Sequence, residues 1–436
     1  MTGPVDWLDT TAVEWTAEPE ALAIARLDRS GVEPDGTPSA VAFPRTAAEV
    51  QAVLRGASAT RTPIVPRGAG TALTGATTAG AGEIVLDLSR MNRIVDLRPD
   101  DGIAVAEPGV ITADLDRAAA ALGLAYAPDP ASVEISTIGG NIATNAGGLR
   151  CAKYGVTRDA VLGLDVVLAD GRLISTGRAT LKGVAGYDLT GLFVGSEGTL
   201  GVVVSATLRL RPLPPPTATI AATYPSLAAA ADASVALTAA RIQPVMAELL
   251  DAATLAALGL AGAALLIVQV DDDPAPAEAV LKQGAVEVRS STDPAEAAAL
   301  LAARRQALPA IERLGRPLIE DIAVPRSRMA AAIRSIEEIA RRHDVRICTL
   351  AHAGDGNLHP IIVTGRGAIA PAAHRAAEDI FALALDLGGT VTGEHGVGTL
   401  KRAWLARELG PDSHDLQRQI KAVFDPLGIL NPGKAL

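Results

Sequence analysis

Three glycine-rich runs in the front half of the chain set the terms for any fold it can adopt: VPRGAGTALTG at 65–75, TIGGNIATNAGG at 137–148 and LFVGSEGTLG at 192–201. Glycine reaches positive φ without strain and has no Cβ, so successive backbone N–H groups can turn inward. Such a concave run of donors binds an anion, most often phosphate. In the first run Gly68, Gly70 and Gly75 supply that freedom, Thr71 and Thr74 add hydroxyls, and Arg67 adds positive charge. Alone it reads equally well as a flexible turn, because a lone glycine loop is a weak signal. The second run holds four glycines, two asparagines and two threonines in twelve residues. Its amides suit a ring edge or a ribitol and its glycines suit a flat ligand; a tight surface loop is the alternative. Three such runs in one domain exceed what connections require and point to a large, elongated, phosphate-bearing ligand. The spacing at 68, 70 and 75 is not the Rossmann fingerprint. One stray match, GRGAIA at 365–370 with Asp386 downstream, runs at once into Pro371 and has no partner βαβ unit.

Around these runs the pattern is α+β. A polar lead-in, 1–36, precedes a strand at 39–43. A helix is expected over 46–56, with Thr46 as cap and Glu49 as its capping-box partner. Strands follow at 64–66, 84–88 and 103–107, then a helix over 113–122 closed by Gly123, and the stiff turn Pro128-Asp129-Pro130. Residues 161–176 alternate into a hairpin turning at Asp170-Gly171, and 199–211 reads as another strand. Mixed strands and helices without long α/β alternation favour α+β over a doubly wound sheet. Leu213-Pro214-Pro215-Pro216 interrupts any strand, so one domain is expected over 37–214 and a second over 215–423. In the second, strands at 217–223, 245–250, 264–270 and 285–289 alternate with helices at 226–240, 252–258 and 275–283, suggesting a ferredoxin-like layered cap. The tail, 424–436, is punctuated by Pro426, Gly428, Pro432 and Gly433 and reads as a looped segment.

Histidine carries the sharpest chemical clue. All six histidines lie between 343 and 414, and three fall in two glycine-rich loops, HAGDGNLH at 352–359 and GEHGVG at 393–398. Neutral imidazoles and a carboxylate suit a divalent transition metal. His352 and His359, across a Gly-Asp-Gly turn, can reach one ion with Glu394 as third ligand and a position open for substrate. His395 is then a base beside the metal. Ordinary polar loops are the alternative, and His343, His374 and His414 read as solvated. Arg304, beside Arg305 on an expected helix, suits either a small organic acid or plain solvent.

Composition removes other classes. A net charge of −10 without a basic stripe excludes nucleic acid as an expected partner. Cys151 and Cys348 lie far apart with no CxxC, which fits a reducing compartment, so a cytoplasmic location is expected. No secretion signal and no membrane span are expected, with peripheral attachment through a partner left open.

PRGAGTALTG, TIGGNIATNAGG, GYDLTGLFVGSEGTLG, HAGDGNLH, GEHGVG and FDPLGILNPGK follow one another in this order. From the region of Glu20 to its end the chain therefore resembles the FAD-linked 2-hydroxy acid dehydrogenases of the vanillyl-alcohol oxidase/p-cresol methylhydroxylase superfamily. These include the flavoprotein of glycolate oxidase, D-lactate dehydrogenase and D-2-hydroxyglutarate dehydrogenase. The resemblance implies a PCMH-type FAD-binding domain of two subdomains, an α+β cap, and a C-terminal segment that returns to the FAD domain. It implies noncovalent FAD, with Arg67, Gly68, Ala69, Gly70, Thr71 and Gly75 at the pyrophosphate. Pro130, Thr137, Gly140, Asn141, Asn145 and Gly147 would line the flavin, and Glu197, Gly198 and Val203 the adenine side. Asn431 and Lys434 would sit near the isoalloxazine or the metal. His352, His359 and Glu394 would bind zinc or manganese, Arg304 the substrate carboxylate, and His395 would take the hydroxyl proton as hydride leaves for flavin N5.

The implied reaction is oxidation of a small D-2-hydroxy acid, of the glycolate or D-lactate class, to the 2-oxo acid. Quinone, electron-transferring flavoprotein or an iron–sulfur protein are compatible acceptors. The threonine and lysine that hydroxyglutarate enzymes carry after the arginine matched by Arg304 fall, without gaps, near Leu308 and Ile319, so a second substrate carboxylate lacks an obvious partner. D-2-hydroxyglutarate oxidation, redox-neutral flavin chemistry of the ether-lipid-synthase kind, a metal-dependent hydrolase and a non-catalytic FAD-binding component of a larger oxidase are the rival readings.

Overall fold

A computed structural model describes residues 5–180, 182–365 and 369–436. It divides into two compact units. One comprises Met1–Gly148, Gly155–Leu213 and Glu394–Leu436, and the other Leu149–Tyr154 and Pro214–Gly393.

The first unit holds two larger sheets. A four-stranded sheet runs in the order Trp15–Thr16, Ala40–Ala42, Ile84–Asp87, Ile64–Arg67. Its last two neighbour pairs are parallel. Ile64, Val65, Ile84, Val85 and Leu86 are fully buried, as parallel strands covered on both faces must be. Helix Ala47–Thr60 covers one face with Val50, Val53, Leu54 and Ala57. Thr46 caps it by accepting from Glu49 N at 3.2 Å, and the Glu49 carboxylate accepts from Arg45 N, one residue before the cap. The five-stranded sheet is antiparallel, in the order Ile94–Arg98, Ile103–Ala106, Val202–Arg209, Val161–Val167, Leu173–Gly177. Burial alternates strictly along Val202–Arg209, the period of a strand with one face on a core. The tail joins the first sheet: Ile64 N donates to Ile429 O and Asn431 N to Ile64 O, each at 2.8 Å.

Residues in the run 137–148 form a short helix, Ile138–Thr144, which sets aside the surface-loop alternative. Ile138, Asn141 and Ile142 are buried, Thr137 is the N-cap and Asn145 closes the helix in the left-handed region at φ 51°. Apolar Ile138 and Ile142 are spaced one helical turn apart.

The second unit is built on an eight-stranded sheet. Seven strands run in the order Glu287–Ser291, Ala218–Tyr224, Ala264–Val270, Met246–Asp251, Arg346–His352, Asn357–Thr364, Arg316–Ile319, and Ile322–Ala323 also pairs with Asn357–Thr364. Helices Leu227–Ala239, Pro294–Glu312, Met329–His343 and Pro371–Asp386 belong to the same unit. Met246, Leu250, Ile267, Ala307, Ile311 and Cys348 form one of its cores. Among the described residues no helix is long and apolar enough to cross a membrane. The stray GRGAIA motif lies partly outside the described residues.

Candidate functional site

In the first unit the glycine runs meet one another. A Cβ at Gly68 would collide with Thr137 Oγ1, so the first loop lies directly against the cap of helix Ile138–Thr144. Ala69, Ser89, Asn92, Gly109, Ile111 and Thr137 are among the residues lining a cavity of about 240 Å³ beside that contact. Gly70 and Gly75 take φ of 65° and 79°, while Ala69 is exposed and Thr71 half-buried. Arg67 is directed elsewhere: its Nη1 donates to Leu27 O at 2.8 Å and Ala25 O at 3.3 Å. Burial pulls this guanidinium down, against Asp87 and Asp28. What residues 67–75 can offer a phosphate is therefore backbone N–H and threonine hydroxyl. Asn141 Nδ2 donates to Thr112 Oγ1 at 2.7 Å, and Asn145 Oδ1 accepts from Arg158 N at 2.9 Å. Pro130 is buried and its carbonyl accepts from Val133 N.

Loop 394–398 belongs to the same unit. A Cβ at Gly147 would strike Glu394 Oε2, His395 Nε2 lies 3.9 Å from Glu394 Oε1, and Thr74 Oγ1 donates to His395 O at 3.5 Å. The buried Glu197 carboxylate holds the loop, accepting from Val397 N at 2.6 Å and Gly398 N at 2.8 Å. Burial pushes this carboxyl up to about 7, against those two donors. Glu197 O and Ala76 O accept from Asn431 Nδ2 at 2.7 and 2.9 Å, so the Asn431 side chain ties the tail to two backbone positions. Gly198 sits at φ 71° against Pro66, and Val203 lies on strand Val202–Arg209.

The second unit carries the imidazole pair. His352 ends strand Arg346–His352 and His359 is the third residue of Asn357–Thr364. His359 is thus on a strand and not in a loop: residues 353–356 turn a hairpin that brings the rings together, centroids 5.0 Å apart and planes at 85°. Both residues are buried. Each ring has a carboxylate behind it. His352 Nδ1 donates to Glu248 Oε1 at 2.6 Å, and His359 Nδ1 lies 3.6 Å from Asp321 Oδ1. Asp321 also accepts from Asn357 Nδ2 at 2.7 Å and Thr392 Oγ1 at 3.0 Å. At His352 this carboxylate bond to Nδ1 fixes the tautomer that leaves the lone pair on Nε2, the usual arrangement around a metal-bound histidine, while 3.6 Å at His359 is beyond hydrogen-bond distance. The donor set, two imidazoles with backing carboxylates, therefore fits a divalent transition metal. Arg304, on helix Pro294–Glu312, donates through Nε to Glu248 Oε2 at 2.6 Å. Burial raises the Glu248 carboxyl, but His352 and Arg304 together hold it below the ordinary value.

Glu248 and Asp321 are the residues that the sequence reading left unassigned. The available signal was an acid inside an apolar strand: Glu248 stands between Ala247 and Leu249 in MAELLD, and a buried charge of that kind needs a cationic or donor partner. His343, expected to be solvated, lies 2.7 Å from Asp379 Oδ2.

Comparison with known proteins agrees with both halves. Residues 38–177 match the family model of an FAD binding domain, and residues 213–435 that of the C-terminal domain of FAD linked oxidases. The GlcD component of glycolate oxidase from Bacillus subtilis (strain 168) is 47% identical over 417 residues, covering 91% of this chain and 88% of the relative. D-lactate dehydrogenase of Archaeoglobus fulgidus is 35% identical over 412 residues, covering 91% of each. Among solved structures, p-cresol methylhydroxylase with substrate bound superposes with a TM-score of 0.78 at 17% identity, over 99% of this chain and 96% of that one. At that identity the likeness speaks for the PCMH-type fold alone.

Proposed function

This chain belongs to the FAD-linked oxidases, and from that premise we propose that it oxidises a small D-2-hydroxy acid, of the glycolate or D-lactate class, to the 2-oxo acid. Bound FAD supplies the redox chemistry, and a divalent zinc or manganese ion supplies polarisation of the substrate hydroxyl. Backbone and hydroxyl donors of Gly68, Ala69, Gly70, Thr71 and Gly75 hold the pyrophosphate. Thr137, Gly140, Asn141, Asn145 and Gly147, with Pro130, line the flavin. Glu197, Gly198, Val203 and Asn431 support the remainder of that cradle.

His352 and His359 would hold the ion. Glu394, the residue after Gly393 where the chain leaves the second unit, is its third protein ligand. His395 takes the hydroxyl proton onto its imidazole, and the Arg304 fork holds the substrate carboxylate. The observation that carries this reading is the buried imidazole pair with a carboxylate behind each ring, one of those carboxylates being shared with Arg304. Substrate class is supported by Leu308 and Ile319, which pack on the apolar cluster around Leu250 and Ile311. Neither offers a charge or a donor to a second carboxylate, which disfavours hydroxyglutarate.

The test is anaerobic bleaching of the purified yellow protein against a panel of D- and L-2-hydroxy acids. Bleaching by D-lactate or glycolate, with little by D-2-hydroxyglutarate, is expected. A flavin that no hydroxy acid reduces ends the proposal. A dye acceptor then separates net oxidation, which delivers electrons, from redox-neutral flavin chemistry, which does not.

A further inference from the structure

Glu248 is a fully buried acid that touches two of the residues just assigned, one proposed to hold the ion and the other the substrate. It lies on strand Met246–Asp251, directly opposite His352 on strand Arg346–His352. Its side chain has no exposure, and its two oxygens are divided: Oε1 accepts from His352 Nδ1 and Oε2 from Arg304 Nε, each at 2.6 Å. Removing a carboxylate from water costs several kcal/mol, and good bonds to both oxygens are needed to offset it. A core position in an apolar strand would be more simply filled by leucine.

We infer that Glu248 is a positioning residue that couples the metal ligand to the substrate clamp. The inference rests on the proposed metal centre. By holding Nδ1–H it fixes the His352 tautomer and ring plane and makes Nε2 a better donor. By taking Arg304 through Nε, the one hydrogen bond Arg304 makes among the described residues, it aims the Nη1/Nη2 edge, the pair suited to a bidentate carboxylate. Because the side chain period in a strand is two, a one-residue slip of this pairing would turn Glu248 to the other face and release both partners together.

The experiment uses FAD-loaded protein stripped with chelator. Zn²⁺ and Mn²⁺ are titrated calorimetrically, and KM is measured for D-lactate and glycolate. Glu248→Gln keeps size and shape but presents only one acceptor. It is expected to weaken metal binding by about 10- to 100-fold and to raise KM. Arg304→Gln cuts the other arm. It is expected to raise KM and, by removing a nearby cation, to tighten metal binding several-fold. A Glu248→Gln protein that is folded and binds metal within about threefold of wild type overturns the inference, by the same fold-change scale. If Glu248→Gln does not fold, Arg304→Gln decides: metal binding equal to or weaker than wild type overturns it. Wild-type protein that binds neither ion sinks the metal centre itself and the inference with it. That outcome is distinct from wild-type binding with an unaffected Glu248→Gln.

Discussion

Glu197 concentrates the physics of the first unit in one side chain. Its carboxylate is buried, yet it accepts two backbone N–H bonds that favour the charged form. Burial wins, and the folded carboxyl titrates near 7, above its ordinary value of 4.5. Between those values the folded chain holds a proton that the unfolded chain has released, so stability from this group falls as pH rises through the window. The loss is on the order of 3 kcal/mol at most. Glu197→Gln removes the titration. Denaturation of both proteins at pH 5 and pH 8 should move the stability difference in favour of glutamine at the higher pH. A difference unchanged between the two pH values counts against the assignment. Gly398 is the second residue of this kind. It sits at φ 52°, and a Cβ there would meet Thr74 O, a backbone atom that cannot step aside. Gly398→Ala should therefore lower stability by about 2–4 kcal/mol, combining left-handed strain with a displaced loop. A thermal melt within 1 °C of wild type would contradict it.

At the scale of elements, the tail docks through a small polar network. Asp425 is buried and accepts from Ile429 N at 3.0 Å and Leu430 N at 2.8 Å, and it is ion-paired with Lys421. Lys421 Nζ also donates to Thr199 O and Leu430 O. Asp425→Ala leaves that half-buried ammonium without its counter-ion and releases the turn that sets Leu430 beside Ile64. A loss of about 3–5 kcal/mol is expected, with hydrogen exchange rising first at 429–431. Unaltered exchange there would refute the anchoring role. Elements of this unit with a local code were legible from sequence. The Thr46 cap, which accepts from Glu49 N, and the Asp170-Gly171 hairpin form where their chemistry places them, although Glu49 closes on Arg45 N rather than on the cap itself. So did the strand and helix alternation between Ala218 and Ser291, because apolar spacing alone determines it. Helix Ile138–Thr144 was hidden because glycine and asparagine are poor helix formers, and tertiary burial of Ile138 and Ile142 overrides that preference. Glu248 and Asp321 were hidden for a different reason: a carboxylate's partner across a sheet is set by register, which no local window contains.

At the scale of the whole molecule, two family models divide the chain: one of an FAD binding domain over residues 38–177, the other of an oxidase C-terminal domain over 213–435. The imidazole pair lies in the second compact unit, whereas all of 38–177 outside Leu149–Tyr154 lies in the first. On the proposed reading, the two histidine ligands and the flavin cradle therefore rest on separate hydrophobic clusters. Chelation should then abolish turnover of a 2-hydroxy acid while the protein keeps its yellow colour and its flavin-to-protein ratio. Adding back Zn²⁺ or Mn²⁺ should restore turnover without added FAD. His352→Ala should behave as the chelated protein does, with turnover down by at least 10- to 100-fold and flavin content unchanged. Flavin lost in step with the metal would mean that the two sites are energetically one, and the separate assignment of cradle and ion would have to be withdrawn. Full turnover in chelator, verified by metal analysis, would leave His395 and Arg304 to act without an ion.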